Sequence, residues 1–557
     1  MGQPDRDPHG LVDPAEVAFY GNLFISIAEE MGVSLGRTAY SPNIKERRDF
    51  SCGLFDGDGQ LIAQAMHIPV HLGAMPRSVD AALGAFADLG PGDVVMLNDP
   101  FAGGTHLPDI TLVSRVFVPG EDTPIAALAS RAHHADVGGM SPGSMPSARE
   151  IVQEGFRIPP VRLRRSGRVD EDILSLLLAN TRTPEERGGD LRAQLAAHET
   201  GARRVVEAAE RYGADELDRR MGDIVAHGER LMRAVIQRIP DGRYEFEDCL
   251  DGDGVSDGPV TVRCAVDIEG DGAVVDFAGT DSERPGGINA VAAVTLSAVY
   301  YCFACLLMTP AEEETPPDVP INGGCFQPIE VRMPERSVVS AGPPRSVAGG
   351  NVETSQRIVD VVLGALSQAL PGVVPAASQG TMNNVSIGGW DHRHDRPFTY
   401  YETLGGGMGA RPDRPGLDAV QVHMTNTLNT PVEAMEFAYP LRVRRYEIID
   451  GSGGPGLHRG GCGLRRELET LGSCQVALLT ERRKTRPYGL AGGGPGAPGR
   501  NRVITDGAER DVAAKCSVEL GPGDGLIVET PGGGGHGTPT ASKEARDPCR
   551  GSDSTDD

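Results

Sequence analysis

Two apolar runs, Ile110 to Val118 and Ile125 to Ala129, are separated by Pro119-Gly120-Glu121-Asp122-Thr123-Pro124. The pattern predicts two strands joined by a short turn. Asn98-Asp99-Pro100-Phe101-Ala102-Gly103-Gly104-Thr105-His106-Leu107-Pro108-Asp109 leads in, and His133-His134-Ala135-Asp136-Val137-Gly138-Gly139 leads out. Folded antiparallel about Glu121 and Asp122, the pair sets the start of the first strand beside the end of the second. Asp109 then lies close to His133 and His134, with His106 near Asp136. Two imidazoles and one or two carboxylates at one end of a hairpin suit a divalent metal. Taken singly, each residue also fits an ordinary turn, and Asp99 before Pro100 can simply end a strand. As a group, interleaved with two glycine pairs, they point to a site.

The totals narrow the field. A chain of 557 residues suits three or four average domains or one large α+β unit. With 39% apolar and 24% charged residues it has the composition of a soluble globular protein. A net charge of −25 argues against nucleic acid and against anionic membrane surfaces as partners. The longest apolar stretch, Ala290 to Met308, contains Thr295, Ser297 and two tyrosines, which reads as a buried helix rather than a membrane span. Met1 to Gly10 is polar and lacks an apolar signal core, so the cytoplasm is the default location. Ten scattered cysteines do not form a disulfide framework, and Cys302 and Cys305, inside the apolar stretch, read as small buried hydrophobes. The 74 glycines and 42 prolines imply many tight turns.

Along the chain, Asp13-Pro14-Ala15-Glu16 starts a helix, with an acidic cap and proline at the first turn. Gly32 is its expected end. Asp56-Gly57-Asp58-Gly59 predicts a hairpin turn between Cys52–Asp56 and Leu61–Gln64. His67 and His71 stand four apart, but Pro69 between them argues against a helix and no acid accompanies them. Residues 170–239 read as a helical segment, opened in part by Thr183-Pro184-Glu185-Glu186. Tyr244 to Phe277 is strand-like, with Asp251-Gly252-Asp253-Gly254 as a turn rather than a calcium loop. Gly349-Gly350-Asn351 runs into a helix through Leu366, whose first amides can hold an anion. Arg345 and Arg357 flank that turn as candidate anion anchors. Gly405-Gly406-Gly407-Met408-Gly409-Ala410 is a glycine loop that either lets backbone approach a substrate or serves a sharp turn. No phosphate-binding G-x-x-x-x-G-K-[ST] loop occurs in the chain. The expected fold is α+β: a large, loop-rich, multi-layer subunit with mixed sheets. Residues 12–240 form a metal-site region with the helical segment, 241–531 an α+β region with the glycine-rich substrate loops, and 532–557 a disordered tail.

From Asp13 to Glu529 the chain resembles the hydantoinase B / 5-oxoprolinase B family, which includes N-methylhydantoinase B subunits and the α subunits of acetone and acetophenone carboxylases. The resemblance rests on blocks in matching order: Asn43-Ile44-Lys45-Glu46-Arg47-Arg48-Asp49-Phe50-Ser51, the two hairpin flanks, Gly349-Gly350-Asn351 with Glu353-Thr354-Ser355-Gln356-Arg357, and Gly405 to Ala410. It implies an ATP-dependent, two-component hydrolase of hydantoin or 5-oxoproline type. A separate A-type ATPase chain would use the ATP to phosphorylate the substrate, and this chain would complete ring opening in a hetero-oligomer. The implied metal ligands are His106, Asp109 and one of His133 or His134, holding manganese, zinc or iron. Asp99, Asp136 and His134 are the candidate catalytic groups, and Gly405, Gly406, Gly407, Arg345 and Arg357 the candidate substrate contacts. An α-type ketone carboxylase subunit and a non-catalytic scaffold are the alternatives.

Overall fold

The computed structural model describes residues 13–65, 67–309 and 320–539. The chain opens with a helix, Pro14–Thr38, capped by the Asp13 carboxylate on the Ala15 amide. It runs past Gly32, because glycine there is a packing residue and not a stop. A Cβ on Gly32 would stand 2.6 Å from the His67 ring.

Seven strands form the first sheet: β1 (Phe50–Asp56), β2 (Leu61–Gln64), β3 (Val94–Leu97), β4 (Asp109–Phe117), β5 (Pro124–His133), β6 (Val161–Arg165) and β7 (Arg168–Val169). Their order is β2-β1-β5-β4-β3-β6-β7, which sets the β4–β5 hairpin in the middle. Alternation along the hairpin divides its two faces. Ala126, Leu128 and Ala132 join the core built with Phe24, Ile27, Met31, Ala193 and Ala197 from the helices Pro14–Thr38 and Pro184–Tyr212. Val113, Ala127 and Ala129 face Met75 and Val79 of the helix Ala74–Ala85. With helices on both faces, the hairpin is buried along nearly its whole length.

The helical segment consists of Glu171–Ala179, Pro184–Tyr212 and Ala214–Ile236. A second sheet follows, β8 (Gly242–Leu250), β9 (Val260–Glu269), β10 (Gly272–Asp276) and β11 (Ile329–Arg332), in the order β11-β10-β9-β8. Against it packs the helix Ser355–Ala369, and on that helix packs the apolar helix Ala292–Leu307, which holds Cys302 and Cys305 as free thiols.

The remaining strands are β12 (Asn384–Asp391), β13 (Arg396–Thr403), β14 (Leu441–Ile448), β15 (Leu464–Thr470), β16 (Cys474–Leu479), β17 (Arg500–Thr505), β18 (Ala508–Asp511), β19 (Lys515–Leu520) and β20 (Gly525–Glu529). They make two sheets, β13-β12-β16-β19 and β14-β15-β20-β17-β18, which share one apolar core through Ile387, Val476, Leu468 and Val528.

Beside this sandwich, glycine-rich segments pack backbone against backbone. The Gly407 amide donates to the Pro531 carbonyl, that of Gly533 to Gly461, that of Gly454 to Gly533 and that of Gly535 to Gly494, all within 2.8–2.9 Å. A Cβ on Gly407 would meet the Gly461 oxygen at 2.1 Å and the Gly533 nitrogen at 2.2 Å. Removing side chains is what lets the segments approach this closely. The expected disordered tail therefore begins too early. Gly532 to His536 are buried and hydrogen-bonded in this layer, while 540–557 lie outside the described residues.

Candidate metal centre

The ladder pairs Asp109 directly with His133, Thr111 with Arg131 and Val113 with Ala129. Directly opposed residues share a face, so Asp109 and His133 look the same way. His134, one residue on, turns to the opposite face, where its Nε2 meets Gln194 Oε1 at 3.0 Å on the helix Pro184–Tyr212. Burial holds the His134 ring down at about 4, against the pull of Asp190. Period two thus separates the neighbouring histidines.

His106 enters from the turn just before β4. Its Nε2 lies 3.3 Å from Asp109 Oδ1, and His133 Nδ1 lies 3.5 Å from the same oxygen. A third imidazole completes the ring around the carboxylate. His71, on the short turn Pro69–His71, sets its Nε2 3.4 Å from Asp109 Oδ2, while its Nδ1 meets Ser51 Oγ at 2.9 Å. The Thr105 hydroxyl also donates to Asp109 Oδ2. All four site residues are buried. Burial lowers His71 and His133, against the pull of Asp109 and Asp49. Burial also works to raise the Asp109 carboxyl, but the surrounding imidazoles outweigh it and hold Asp109 well below the usual carboxylate range.

Below this cluster, Arg131 donates to Thr111 Oγ1 at 2.8 Å and to Ser78 Oγ at 2.6 Å, and burial brings it down to about 10 despite the Asp109 charge. The Tyr401 ring of β13 stacks on His133 with centroids 4.4 Å apart and planes 10° from parallel. Asn43 Nδ2 donates to the His133 carbonyl at 2.8 Å, and the His133 amide donates to the Asp49 carbonyl at 3.0 Å. The centre is therefore framed by the first sheet on one side and by the C-terminal sandwich on the other.

His106, Asp109 and His133 offer ligand atoms within 4.8 Å of one another. Both His106 nitrogens, Asp109 Oδ1 and His133 Nε2 are buried without a hydrogen-bond partner. Buried polar atoms are normally paired, so such a group requires an explanation. Around a tetrahedral ion with ligand bonds of ~2.1 Å, donor atoms stand about 3.4 Å apart. The 3.3 Å from His106 Nε2 and the 3.5 Å from His133 Nδ1 to Asp109 Oδ1 match that spacing, while the unpartnered His133 Nε2 lies on the other edge of its ring. A cavity of about 20 Å³ opens between Asp109, His133, His71 and Tyr401, room for one water-sized particle. The residues present fit a divalent ion, and three protein ligands leave further positions open.

The other expected site residues do not join this cluster. The Asp99 carboxylate caps the turn at the Phe101 amide, 3.1 Å away, and faces Arg157 at 3.7 Å. Asp136 receives the Gly138 and Arg182 amides and the Arg182 guanidinium, which closes the loop after β5. Arg345 pairs with Glu283. Arg357 lies in a buried network with Asp248, Asp360 and Arg482. Gly405, Gly406 and Gly407 belong to the glycine layer, where their own chain fills the space a ligand would need. His71 is the site residue the chain pattern left without a partner. Its signal was the His67-x-x-x-His71 spacing, and the missing acid comes from Asp109, 38 positions later.

The family model described as Hydantoinase B/oxoprolinase matches residues 13–539, a span that contains the whole of this centre. The 5-oxoprolinase 1 of Arabidopsis thaliana is 39% identical over 95% of this chain, which spans 42% of that longer protein. A putative D-/L-hydantoinase from a Pseudomonas species, named as the B component of its enzyme, is 29% identical over 95% of this chain and 90% of that one. The crystal structure of an ATP-dependent caprolactamase from Pseudomonas jessenii superposes with a TM-score of 0.86 at 29% identity, covering 95% of this chain and 91% of its own. This chain belongs to the Hydantoinase B/oxoprolinase family.

Proposed function

We propose that this chain is the metal-bearing, B-type component of an ATP-dependent cyclic amide hydrolase. Its substrate would be a hydantoin or 5-oxoproline type ring, phosphorylated by an A-type ATPase partner. The observation that carries the reading is the buried cluster of His106, Asp109 and His133, in which His106 Nε2 and Asp109 Oδ1 face each other without hydrogen-bond partners. The relatives supply the reaction class: their names describe a hydantoinase component, a 5-oxoprolinase and an ATP-dependent caprolactamase. A separate ATPase chain is supported by the Pseudomonas hydantoinase, whose name makes it one part of a larger assembly.

In this reading His106, Asp109 and His133 hold the ion, and the neutral state of His133 is the form that ligates. Asp109 carries the negative charge of the site, and Thr105 and His71 fix its second oxygen. Tyr401 and Asn43 hold the plane and position of His133. A bound divalent ion supplies Lewis-acid polarisation of a carbonyl or phosphoryl oxygen and a water of lowered pKa. Among the described residues no helix is long and apolar enough to cross a membrane.

The test is steady-state turnover of 5-oxoproline and N-methylhydantoin, with and without ATP, on this chain alone and mixed with its A-type partner. The expected result is no ATPase and no hydrolysis by the isolated chain, and both activities in the mixture. Substantial hydrolysis by this chain alone would overturn the two-component reading.

A further inference from the structure

A cavity of about 750 Å³ lies beside the candidate metal centre, bordered by Arg37, Lys45, Arg48, His67, Ile68 and Asn426. An apolar cleft of about 230 Å³ adjoins it, sharing His67, Ile68 and Asn426 and adding Tyr301. Ile68 also lines the small cavity at Asp109 and His133. One side chain therefore borders all three spaces.

The segment Asn43–Asp49 connects the larger cavity to the centre. Its inward residues frame His133: Asn43 binds the His133 carbonyl, Asp49 accepts the His133 amide, and buried Arg47 ties the segment to Tyr401, Thr427 and Leu428. Its outward residues, Lys45 and Arg48, are exposed and line the cavity. Arg48 sits at φ 55°, in the left-handed region that few non-glycine residues occupy. Among the described residues Arg37, Lys45 and Arg48 form no ion pair; Glu29 and Glu46 share the wall, two carboxylates against three cations. In a chain of net charge −25 this wall carries more Lys and Arg than Glu and Asp. Cations without ion-pair partners beside an apolar cleft suit a small molecule with one anionic group and one uncharged ring.

We propose that this two-part chamber binds the substrate, with Lys45 and Arg48 holding its anionic oxygens and the cleft at Tyr301 holding its ring. The proposal rests on the cyclic-amide reading above and adds that recognition depends on an anionic group. The anion is a carboxylate on the ring or the phosphoryl group placed on its carbonyl. Both present the same oxygens to the cations.

Calorimetric binding of three probes separates these cases: 5-oxoproline, 2-pyrrolidinone (the same ring without the carboxylate) and inorganic phosphate. Each is titrated into the wild-type chain and the Lys45→Gln/Arg48→Gln variant, with metal content measured in parallel. The expected result is 5-oxoproline or phosphate binding that falls at least about tenfold in the variant, with 2-pyrrolidinone binding and metal content unchanged. Loss confined to 5-oxoproline assigns the carboxylate, and loss of phosphate binding assigns the phosphoryl group. Lys45→Gln alone, at an exposed position, replaces the double variant if that does not fold. Equal binding of all probes by both proteins, or no anion binding by the wild type, would overturn the proposal. These measurements require no turnover, so failure of the two-component reading would leave them standing.

Discussion

Asp109 and His133 face each other across the β4–β5 ladder, and the same carboxylate oxygen lies 3.5 Å from His133 and 3.3 Å from His106. Strand pairing places two ligand candidates on one face without any loop having to find its position. A rigid ladder suits a site whose donors must hold their spacing before an ion arrives. Replacing Asp109 by Ala should reduce bound divalent metal at least roughly tenfold while the far-ultraviolet circular dichroism stays native. Elemental analysis of the purified variant checks this, and full occupancy would remove Asp109 from the ligand set.

His71 contacts the other Asp109 oxygen at 3.4 Å and is held by Ser51. A group that orients a ligand acts on affinity more than on the fold. His71→Gln should weaken metal binding by about tenfold to a hundredfold. A competition titration against a chelator reads this directly, and unchanged affinity would leave His71 a packing residue.

Arg357 is buried and contacts Asp248 at 2.6 Å and Asp360 at 3.5 Å, while Arg482 contacts the same two acids. Removing one member leaves buried charge uncompensated. Arg357→Met should therefore cost about 3–5 kcal/mol of stability. Chemical denaturation measures it. A variant of native stability with a raised KM would instead return Arg357 to the substrate contacts.

Gly407→Val would force a side chain into space already held by the Gly461 and Gly533 backbones. The expected outcome is loss of the folded glycine layer, seen as faster amide exchange across 405–410 and 532–536. Gly84 is the control, since it lies inside the helix Ala74–Ala85 and a Cβ added there would meet nothing within 4 Å. Gly84→Ala should stabilise by roughly 0.5–1 kcal/mol.

His198 bridges Ser114 at 2.7 Å and Ser130 at 3.1 Å, and burial pushes it down to about 3. Its folded value lies below its unfolded value, so its contribution is fully present above the unfolded pKa of about 6.5 and is lost as pH falls towards 3. In that window this one group makes stability fall by about 1.4 kcal/mol per pH unit. His198→Gln, which cannot titrate, should flatten the slope by that amount in denaturation of the metal-free chain. An unchanged slope would show that His198 is already protonated in the folded state.

Local patterns were enough for what depends on neighbours in the chain. The Asp13 cap, the helical run over 170–239, the hairpin turn at Asp56–Gly59 and the central hairpin all follow from short-range spacing and turn chemistry, whereas Asp251–Gly254 opens a longer connection between Leu250 and Val260. The hairpin alone brings Asp109 to His133, because its register follows from one turn. Tertiary contacts decided the rest. His71 meets its acid only when the Pro69–His71 turn folds under β4, and His134 goes to Gln194 because the opposite sheet face is covered by a helix. Glycine is ambiguous in a sequence, since the missing side chain serves a turn, a ligand or another backbone equally well. Gly32 makes room for His67, and Gly407 makes room for Gly461 and Gly533. Nothing adjacent in the chain distinguishes these uses; the partner backbone or ring, tens of residues away, does.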